Sequence, residues 1–161
     1  GDEQAIPAAA FAGVYVRARS LGLRTSVHAG EWAGADSVRE VLDVLRPDRL
    51  DHGIAAADDP RLLQRLAEED TILCVAPTSN LRTGAVGHVS VHPLRRLLDA
   101  GVRVTLSADD PVLFSTSTRS EYELAGTKLG VTPEELSRLS RNAWHAAFCT
   151  REQREAGLRG F

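Results

Sequence analysis

The sequence contains no apolar run long enough to cross a membrane, and its first residues lack a basic segment followed by a hydrophobic one. A membrane-spanning helix needs about 20 consecutive apolar residues, and a secretory leader needs both segments in that order. Basic residues are not in excess, since 19 Lys and Arg are scattered among 22 Asp and Glu for a formal net charge of −3. Such a chain lacks the basic face that binds the phosphates of nucleic acids. These features predict a cytoplasmic protein that binds neither membranes nor nucleic acids.

Cysteine is scarce. Cys74 lies inside an apolar run and Cys149 near the end of a helical pattern, so the two do not form the close spacing of a metal or redox site. We expect both to be reduced thiols with a structural role. With 43% hydrophobic residues among 161, the chain has enough apolar side chains for one ordinary core. Residues 1–161 are therefore expected to form a single domain.

Helical and strand patterns alternate along the chain. Strands joined by helices run parallel, because neighbouring parallel strands cannot be connected by a tight turn. The pattern predicts an α/β fold, in which the sheet is either open and doubly wound or part of a (β/α)8 barrel. The predicted strands are 23–29, 49–52, 71–76 and 102–107. Helices are predicted over 7–21, from His92 to Gly101, over 118–129 and over 133–148, and two more are predicted to start at the Ser37 and Glu40 capping box and at Asp59 and Pro60. The helix over 133–148 has a capping box at Thr132 and Glu135, and a long loop is predicted over 78–91.

Each predicted strand is followed by polar residues. His28 and Glu31 follow the first strand, His52 ends the second, and the segments 78–80 and 109–110 follow the third and fourth. A histidine at a strand end is more often a structural residue than a ligand, and Asp109 also fits a helix N-cap. However, the carboxyl ends of parallel strands share one edge of the sheet, where α/β proteins build their sites. Four polar endings at one edge therefore indicate a functional site.

The residue types at this edge fit metal-assisted hydrolysis. Imidazole nitrogens and carboxylate oxygens are ligands of zinc, and a catalytic zinc keeps a position for a water whose pKa falls toward ~7. A carboxylate outside the ligand set can move protons, and a second histidine can orient the hydroxide. The edge therefore predicts a metal-dependent hydrolase site.

Four segments resemble, in order and spacing, the successive motifs of the adenosine deaminases and their adenine- and aminodeoxyfutalosine-deaminating relatives. The segments are HAGE (28–31), RLDHG (49–53), PTSN (77–80) and SADDP (107–111). The resemblance begins at the segment GDE (1–3), which looks like the end of barrel strand four in that family, and extends to Phe148. It implies that the chain contains strands five to eight of a TIM (β/α)8 barrel, because a complete barrel takes about 250 residues.

The resemblance also implies the metal and proton-transfer residues. His28 and Asp109 are expected to ligate one Zn²⁺, and Asp109 also orients or deprotonates the bound water. His52 is expected to hold the zinc-bound hydroxide. Glu31 is expected to protonate the purine ring nitrogen next to the attacked carbon.

The implied substrate is a purine. The backbone amide of Gly1 and the carboxylate of Asp110 are expected to hydrogen-bond its ring nitrogens. The implied reaction is hydrolytic removal of the 6-amino group from adenosine or a related 6-aminopurine, giving an inosine-type product and ammonia.

One family feature is missing from the sequence. The family opens with a strand carrying a His-x-His pair that supplies two further zinc ligands, and no such pair occurs here. His88 and His92 straddle a loop and a helix start, so surface or capping roles are expected for them, and a packing or surface role for His145. A catalytic zinc site ordinarily has more than two protein ligands. We therefore expect activity only with a complementary N-terminal half-barrel, which could pair with the two free sheet edges; these edges also favour self-association.

Two alternatives remain open from the residues. The chain could be a catalytically inactive remnant of a deaminase that acts as a purine-binding or interaction module. It could also be another amidohydrolase acting on a different amide or amidine, which the spacing of Glu31 after His28 disfavours. Trp32 fits either a pocket rim or a packed core position.

Overall fold

The structure is a computed structural model, in which residues 3–161 are described. Its four strands are β1 (Ser26–Ala29), β2 (Arg49–His52), β3 (Ile72–Val75) and β4 (Arg103–Leu106). They form one sheet in chain order, and every neighbouring pair is parallel. The predicted α/β fold is therefore confirmed. Gly1 lies outside the described residues, so the role expected of it stays a prediction.

An aliphatic row fixes the register of the sheet. Val27 pairs with Leu50, Leu50 with Leu73, and Leu73 with Val104. Register partners point to the same side of a sheet, and all four of these side chains are buried. Burying each of them stabilises the fold by about 1.5–3 kcal/mol. The alternation of β1, in which Val27 and Ala29 are buried and His28 is exposed, places His28 on the opposite side from this row.

Helices connect and follow the strands. Asp59 caps its helix as predicted by accepting hydrogen bonds from the backbone N–H groups of Arg61 and Leu62, and the capping box of Thr132 and Glu135 is also confirmed. The helices are α1 (Ala12–Ser20), α2 (Gly34–Glu40), α3 (Pro60–Glu68), α4 (Pro77–Arg82), α5 (Leu94–Asp99), α6 (Pro111–Phe114), α7 (Thr118–Lys128), α8 (Pro133–Ala146) and α9 (Arg151–Leu158); 3-10 turns cover Ala8–Phe11, Ile54–Asp58 and Val89–Val91, and a π-helical turn, Val41–Leu45, extends α2. None of the helices within residues 3–161 is both long and apolar enough to cross a membrane.

Three local predictions were wrong or incomplete. The helix predicted to start at Ser37 begins at Gly34 instead, and the Ser37 hydroxyl donates to the Glu3 carboxylate at 2.6 Å. The long loop predicted over 78–91 contains α4, because Pro77 suits the first position of a helix. Helix α9 was not predicted, although Thr150 and Gln153 form a capping box at its start.

The cysteines match their expected role. Both are free thiols, and Cys74 is buried in β3. Burial, followed by the charge of Asp51, raises the pKa of Cys74 to about 12. The Cys74 thiol is therefore protonated and unreactive at neutral pH.

His88 and His92 have the capping roles expected of them. The Nδ1 atom of His88 accepts from the backbone N–H of Ser90, and that of His92 accepts from the backbone N–H of Leu94 at 3.1 Å. His88 is exposed, whereas His92 is 6% exposed and its Nε2 has no hydrogen-bond partner among the described residues. Burial lowers the pKa of His92 to about 4.

The buried His92 predicts a pH-dependent stability. Its folded-state pKa lies below the ordinary value of 6.5, so the unfolded chain binds more protons between these values and the free energy of unfolding falls as the pH falls. We expect protonation of this group to lower the free energy of unfolding by about 2 kcal/mol between about pH 7 and about pH 5. The His92→Asn variant keeps an acceptor for the Leu94 N–H. In urea titrations, its free energy of unfolding should fall by about 2 kcal/mol less than that of the parent over this pH range. The matched control is His88→Asn, whose free energy of unfolding should fall as much as that of the parent; equal pH slopes for His92→Asn and the parent chain would contradict the prediction.

Candidate active site

Three side chains converge at the carboxyl edge of the sheet. His28 is in β1, His52 ends β2, and Glu31 lies in the loop that follows β1. One ligand atom from each lies within 4.8 Å of those of the other two. The Oε2 atom of Glu31 is 3.7 Å from Nε2 of His28 and 3.6 Å from Nε2 of His52. The structure thus brings together three residues that are predicted to act in one site.

Asp109 lies beside this cluster. Its Oδ2 atom is 4.0 Å from Nε2 of His52 and accepts a hydrogen bond from the Ser79 hydroxyl at 2.7 Å. The backbone of Asp109 has a φ of 55°, in the left-handed region, and its N–H donates to the Ser107 hydroxyl at 3.1 Å. This turn directs the carboxylate of Asp109 back toward the ends of β2 and β3.

Asp110 has a different environment. Its Oδ1 atom accepts a hydrogen bond from the backbone N–H of Leu113 at 2.9 Å, which makes Asp110 the N-cap of α6. The capping role that the sequence allowed for Asp109 therefore belongs to its neighbour. The contact expected between Asp110 and a purine stays a prediction.

Asn80 connects the two buried members of the cluster. Its Nδ2 group donates to Oε1 of Glu31 at 2.8 Å and lies 3.1 Å from Nδ1 of His52. A carboxylate only accepts hydrogen bonds, so the contact with Glu31 fixes which end of the Asn80 amide is the NH2 group. The second N–H then donates to Nδ1 of His52, which leaves the proton of the neutral imidazole on Nε2. Thr83 adds a second donor to Oε1 of Glu31 at 3.3 Å.

The two histidines differ in their electrostatic surroundings. A hydrogen bond to the Glu3 carboxylate raises the pKa of His28, and burial opposes this effect. Burial lowers the pKa of His52, although the charge of Glu31 opposes that shift. Burial also raises the pKa of Glu3, but hydrogen bonds from its neighbours, His28 first, outweigh it and hold that pKa far below its ordinary value.

Glycines follow both histidines because the backbone requires them. Gly30 has a φ of +70°, and a Cβ atom there would lie 2.3 Å from Val38 Cγ2 and 3.2 Å from the Gly53 Cα. Gly53 has a φ of +69° and would meet Leu73 Cδ2 at 2.8 Å. These turns occur where the chain leaves β1 and β2, so they set the directions of His28 and His52.

A cleft of about 300 Å³ borders the cluster. Glu31 and Trp32 lie along it with Ile54, Val86 and Pro93. Trp32 is 46% exposed, so it has the rim position rather than the core position that the sequence also allowed.

The sequence patterns predict no role for several residues that hold the site. Ser79 and Asn80 belong to the PTSN segment, and the polar run after a buried strand is the signal that marks them. Thr83 lies one helical turn after Ser79 and carries no such signal. Glu3 belongs to the GDE segment, but its partners are mostly backbone N–H groups 27 to 29 residues away.

A parallel sheet with histidines and carboxylates at its carboxyl edge is the arrangement expected of one half of a TIM barrel, which builds its sites at that edge. Comparison with protein families agrees, because the adenosine deaminase model matches residues 1–159. The chain belongs to the adenosine deaminase family.

The relatives of the chain share both sequence and fold. Adenine deaminase from Sinorhizobium medicae is 44% identical over 155 residues, which are 96% of this chain and 48% of the relative. Adenine deaminase from Rhizobium johnstonii is 45% identical over 158 residues, or 98% of this chain and 49% of the relative. The chain thus spans about half the length of these curated relatives.

Solved structures give the same result. The adenine deaminase of Arthrobacter aurescens superposes with a TM-score of 0.93 at 34% identity, covering 99% of this chain and 49% of that one. An amidohydrolase from Burkholderia ambifaria with bound Zn gives 0.90 at 29% identity, covering 99% and 45%. The N6-mAMP deaminase of Arabidopsis gives 0.81 at 26% identity, covering 92% and 43%. The prediction of a half-barrel is confirmed.

Proposed function

We propose that this chain forms half of the active site of a zinc-dependent deaminase that hydrolyses the 6-amino group of adenine or a closely related 6-aminopurine. The observation that carries the proposal is the convergence of His28, Glu31 and His52 beside Asp109 at one edge of the sheet. The similarity to adenine deaminases supports adenine as the substrate. We assign the whole chain, residues 1–161, to this one domain.

The donor atoms fit a zinc ion. His28 and Asp109 offer an imidazole nitrogen and a carboxylate oxygen, and their side chains are 43% and 41% exposed at the open edge. Glu31 and His52 are only 5% exposed and lie behind them. Bound zinc would supply a hydroxide at neutral pH. We propose that His28 and Asp109 hold it, together with ligands from the part of the relatives that this chain does not cover.

The hydrogen bonds of the buried residues suit them to the proton transfers. Asn80 and Thr83 bind Oε1 of Glu31, which leaves Oε2 facing the histidines. Protonated Glu31 can therefore donate from Oε2 to the ring nitrogen beside the attacked carbon. His52 receives a hydrogen bond at Nδ1 from Asn80, so its Nε2–H can hold the attacking oxygen. We propose that Gly1 and Asp110 bind the remaining ring nitrogens.

The free edges of the sheet suit a complementary half-barrel. Within the described residues, β1 and β4 each pair on one side only. Beside β1 is a cavity of about 440 Å³ that His28, Phe11 and Leu45 help to line. Exposed apolar residues occur in the segments before β1 and after β4. They are Ile6, Phe11, Val14, Leu21 and Leu23 before β1, and Val112 and Leu113 in α6 after β4.

The test joins this chain to the amino-terminal half of the Sinorhizobium medicae adenine deaminase. We expect the fusion to bind zinc and to deplete adenine, and the His28→Ala variant to lose at least ~10³-fold in rate together with its zinc, because one ligand is removed. The readouts are adenine absorbance and metal content.

The control for this experiment is His145→Ala, a histidine in the last turn of α8, which should retain both properties. Zinc binding without deamination in the fusion would support an inactive module instead. Unchanged zinc and rate in His28→Ala would overturn the assignment of the ligand.

A further inference from the structure

Glu3 is a buried carboxylate that binds the loop between β1 and α2. Its side chain is 6% exposed. Oε1 accepts hydrogen bonds from the Gly30 backbone N–H and from the Ser37 hydroxyl. Oε2 accepts from the backbone N–H groups of Glu31 at 3.2 Å and Trp32 at 3.0 Å. Three consecutive backbone N–H groups therefore converge on one side chain.

Successive N–H groups that point into one concavity form an anion-binding nest. In this loop the anion is part of the protein itself, and it comes from a segment 27 residues earlier in the chain. N–H groups left without an acceptor are costly, so the carboxylate stabilises this shape of the loop. Gly30, whose backbone is in the left-handed region, is the first residue of this nest.

The nest includes the backbone of Glu31, the proposed proton donor. Glu31 contributes its own N–H to it, and Oε2 of Glu3 is also 3.4 Å from Nε2 of His28. One carboxylate thus contacts both the backbone of the proposed acid and the side chain of a proposed zinc ligand. We propose that Glu3 is a positioning residue: it holds the loop 30–32 so that the Glu31 carboxyl faces the reacting ring nitrogen. This inference rests on the proposed function.

The Glu3→Gln variant tests this role without removing volume. Glutamine replaces one acceptor oxygen with an NH2 donor. If the NH2 group faces Gly30, the Gly30 N–H loses its carboxylate acceptor and keeps only the Ser37 hydroxyl at 3.0 Å. If it faces the other way, the N–H groups of Glu31 and Trp32 lose the Oε2 atom that accepts from them. Either orientation leaves at least one backbone N–H of the nest opposite another donor.

The first measurement is amide hydrogen exchange of the 161-residue chain. We expect Glu3→Gln to exchange at least one of the Gly30, Glu31 and Trp32 amides on the order of 10-fold faster, with β2 and β3 unchanged. The matched control is Asp48→Asn. Oδ2 of Asp48 accepts from the Thr25 backbone N–H at 2.7 Å, just before the start of β1, so this variant alters a carboxylate at the other end of the strand. It should leave the exchange of residues 30–32 unchanged.

The second measurement is steady-state deamination by the fusion described above. We expect Glu3→Gln to lower kcat by about 10- to 100-fold, as for other residues that orient a ligand or an acid, with little change in KM for adenine. Asp48→Asn should leave both constants near those of the parent. A residue needed only for folding would not separate kcat from KM in this way.

Each result decides between the two roles. Unchanged exchange across the loop, or equally faster exchange in β2 and β3, would overturn the positioning role. If the parent fusion does not deaminate adenine, the proposed function fails, while hydrogen exchange still decides whether Glu3 holds the loop. Should Glu3→Gln not fold, Glu3→Asp keeps both acceptor oxygens at a shorter reach and should give faster exchange confined to residues 30–32.

Discussion

Glu31→Gln in the fusion with the amino-terminal half is expected to lower kcat for adenine by about 10³-fold, because it removes a proton donor from the reaction. The substitution is nearly isosteric. The Gln oxygen can still accept from Asn80, as Oε1 of Glu31 does at 2.8 Å, while the NH2 group takes the position of Oε2. The loop and its backbone bonds to Glu3 are therefore retained.

This prediction separates proton transfer from metal binding. Glu31 is close to both histidines but is not proposed to be a zinc ligand. The zinc content of Glu31→Gln should therefore equal that of the parent. His28→Ala, in contrast, should lose zinc and activity together. Rate and metal content measured on the same samples distinguish the two variants.

The control for Glu31→Gln is Glu40→Gln, which makes the same change at the end of α2, where Oε1 of Glu40 accepts from the Ala9 backbone N–H. It should leave kcat close to that of the parent. A rate for Glu31→Gln within about threefold of the parent would show that Glu31 is not the general acid. Its buried contacts with Asn80 would then be structural.

Glu121→Ala is expected to have the largest effect on stability. Glu121 is fully buried in α7. Its Oε2 accepts from the Thr78 backbone N–H at 2.9 Å, and its Oε1 accepts from the Thr116 hydroxyl. Alanine would leave the part-buried Thr78 N–H without this acceptor, would leave the Thr116 hydroxyl with only the Ser120 hydroxyl at 2.9 Å, and would create a cavity. We expect the free energy of unfolding to fall by about 3 kcal/mol in urea titrations.

The matched control is Glu123→Ala in the same helix. Glu123 is 60% exposed and pairs with Arg119 on the surface, where an ion pair contributes less than about 1 kcal/mol. Its loss should therefore change stability little. Equal effects of the two substitutions would show that the buried bonds of Glu121 contribute no more than a surface ion pair.

Glu121 also connects two segments of the site. Thr78 precedes Ser79 and Asn80 in α4, and Thr116 follows α6. Because one carboxylate binds both segments, it fixes the donors of Asp109 and Glu31 relative to the end of β4.

Much of this arrangement could be predicted from the sequence because it follows from short-range patterns. Strand β2 was predicted with its observed bounds, since alternating residues and a following glycine mark it. The edge residues His28, Glu31, His52 and Asp109 were predicted together because parallel strands end at a common edge.

The remaining features depend on contacts between distant segments. No periodicity indicates that Ser37 donates to Glu3 rather than capping a helix, because Glu3 is 34 residues away. The adjacent aspartates at 109 and 110 have the same side chain. Asp110 directly precedes Pro111 and caps α6, whereas the carboxylate of Asp109 accepts from Ser79, 30 residues away, which no local pattern indicates.

The aliphatic row of Val27, Leu50, Leu73 and Val104 has a consequence beyond stability. A slip of one residue between β1 and β2 would exchange the two faces of the strand and move His28 to the helix-covered side. The packing of these four apolar side chains therefore also fixes the side of the sheet on which His28 lies.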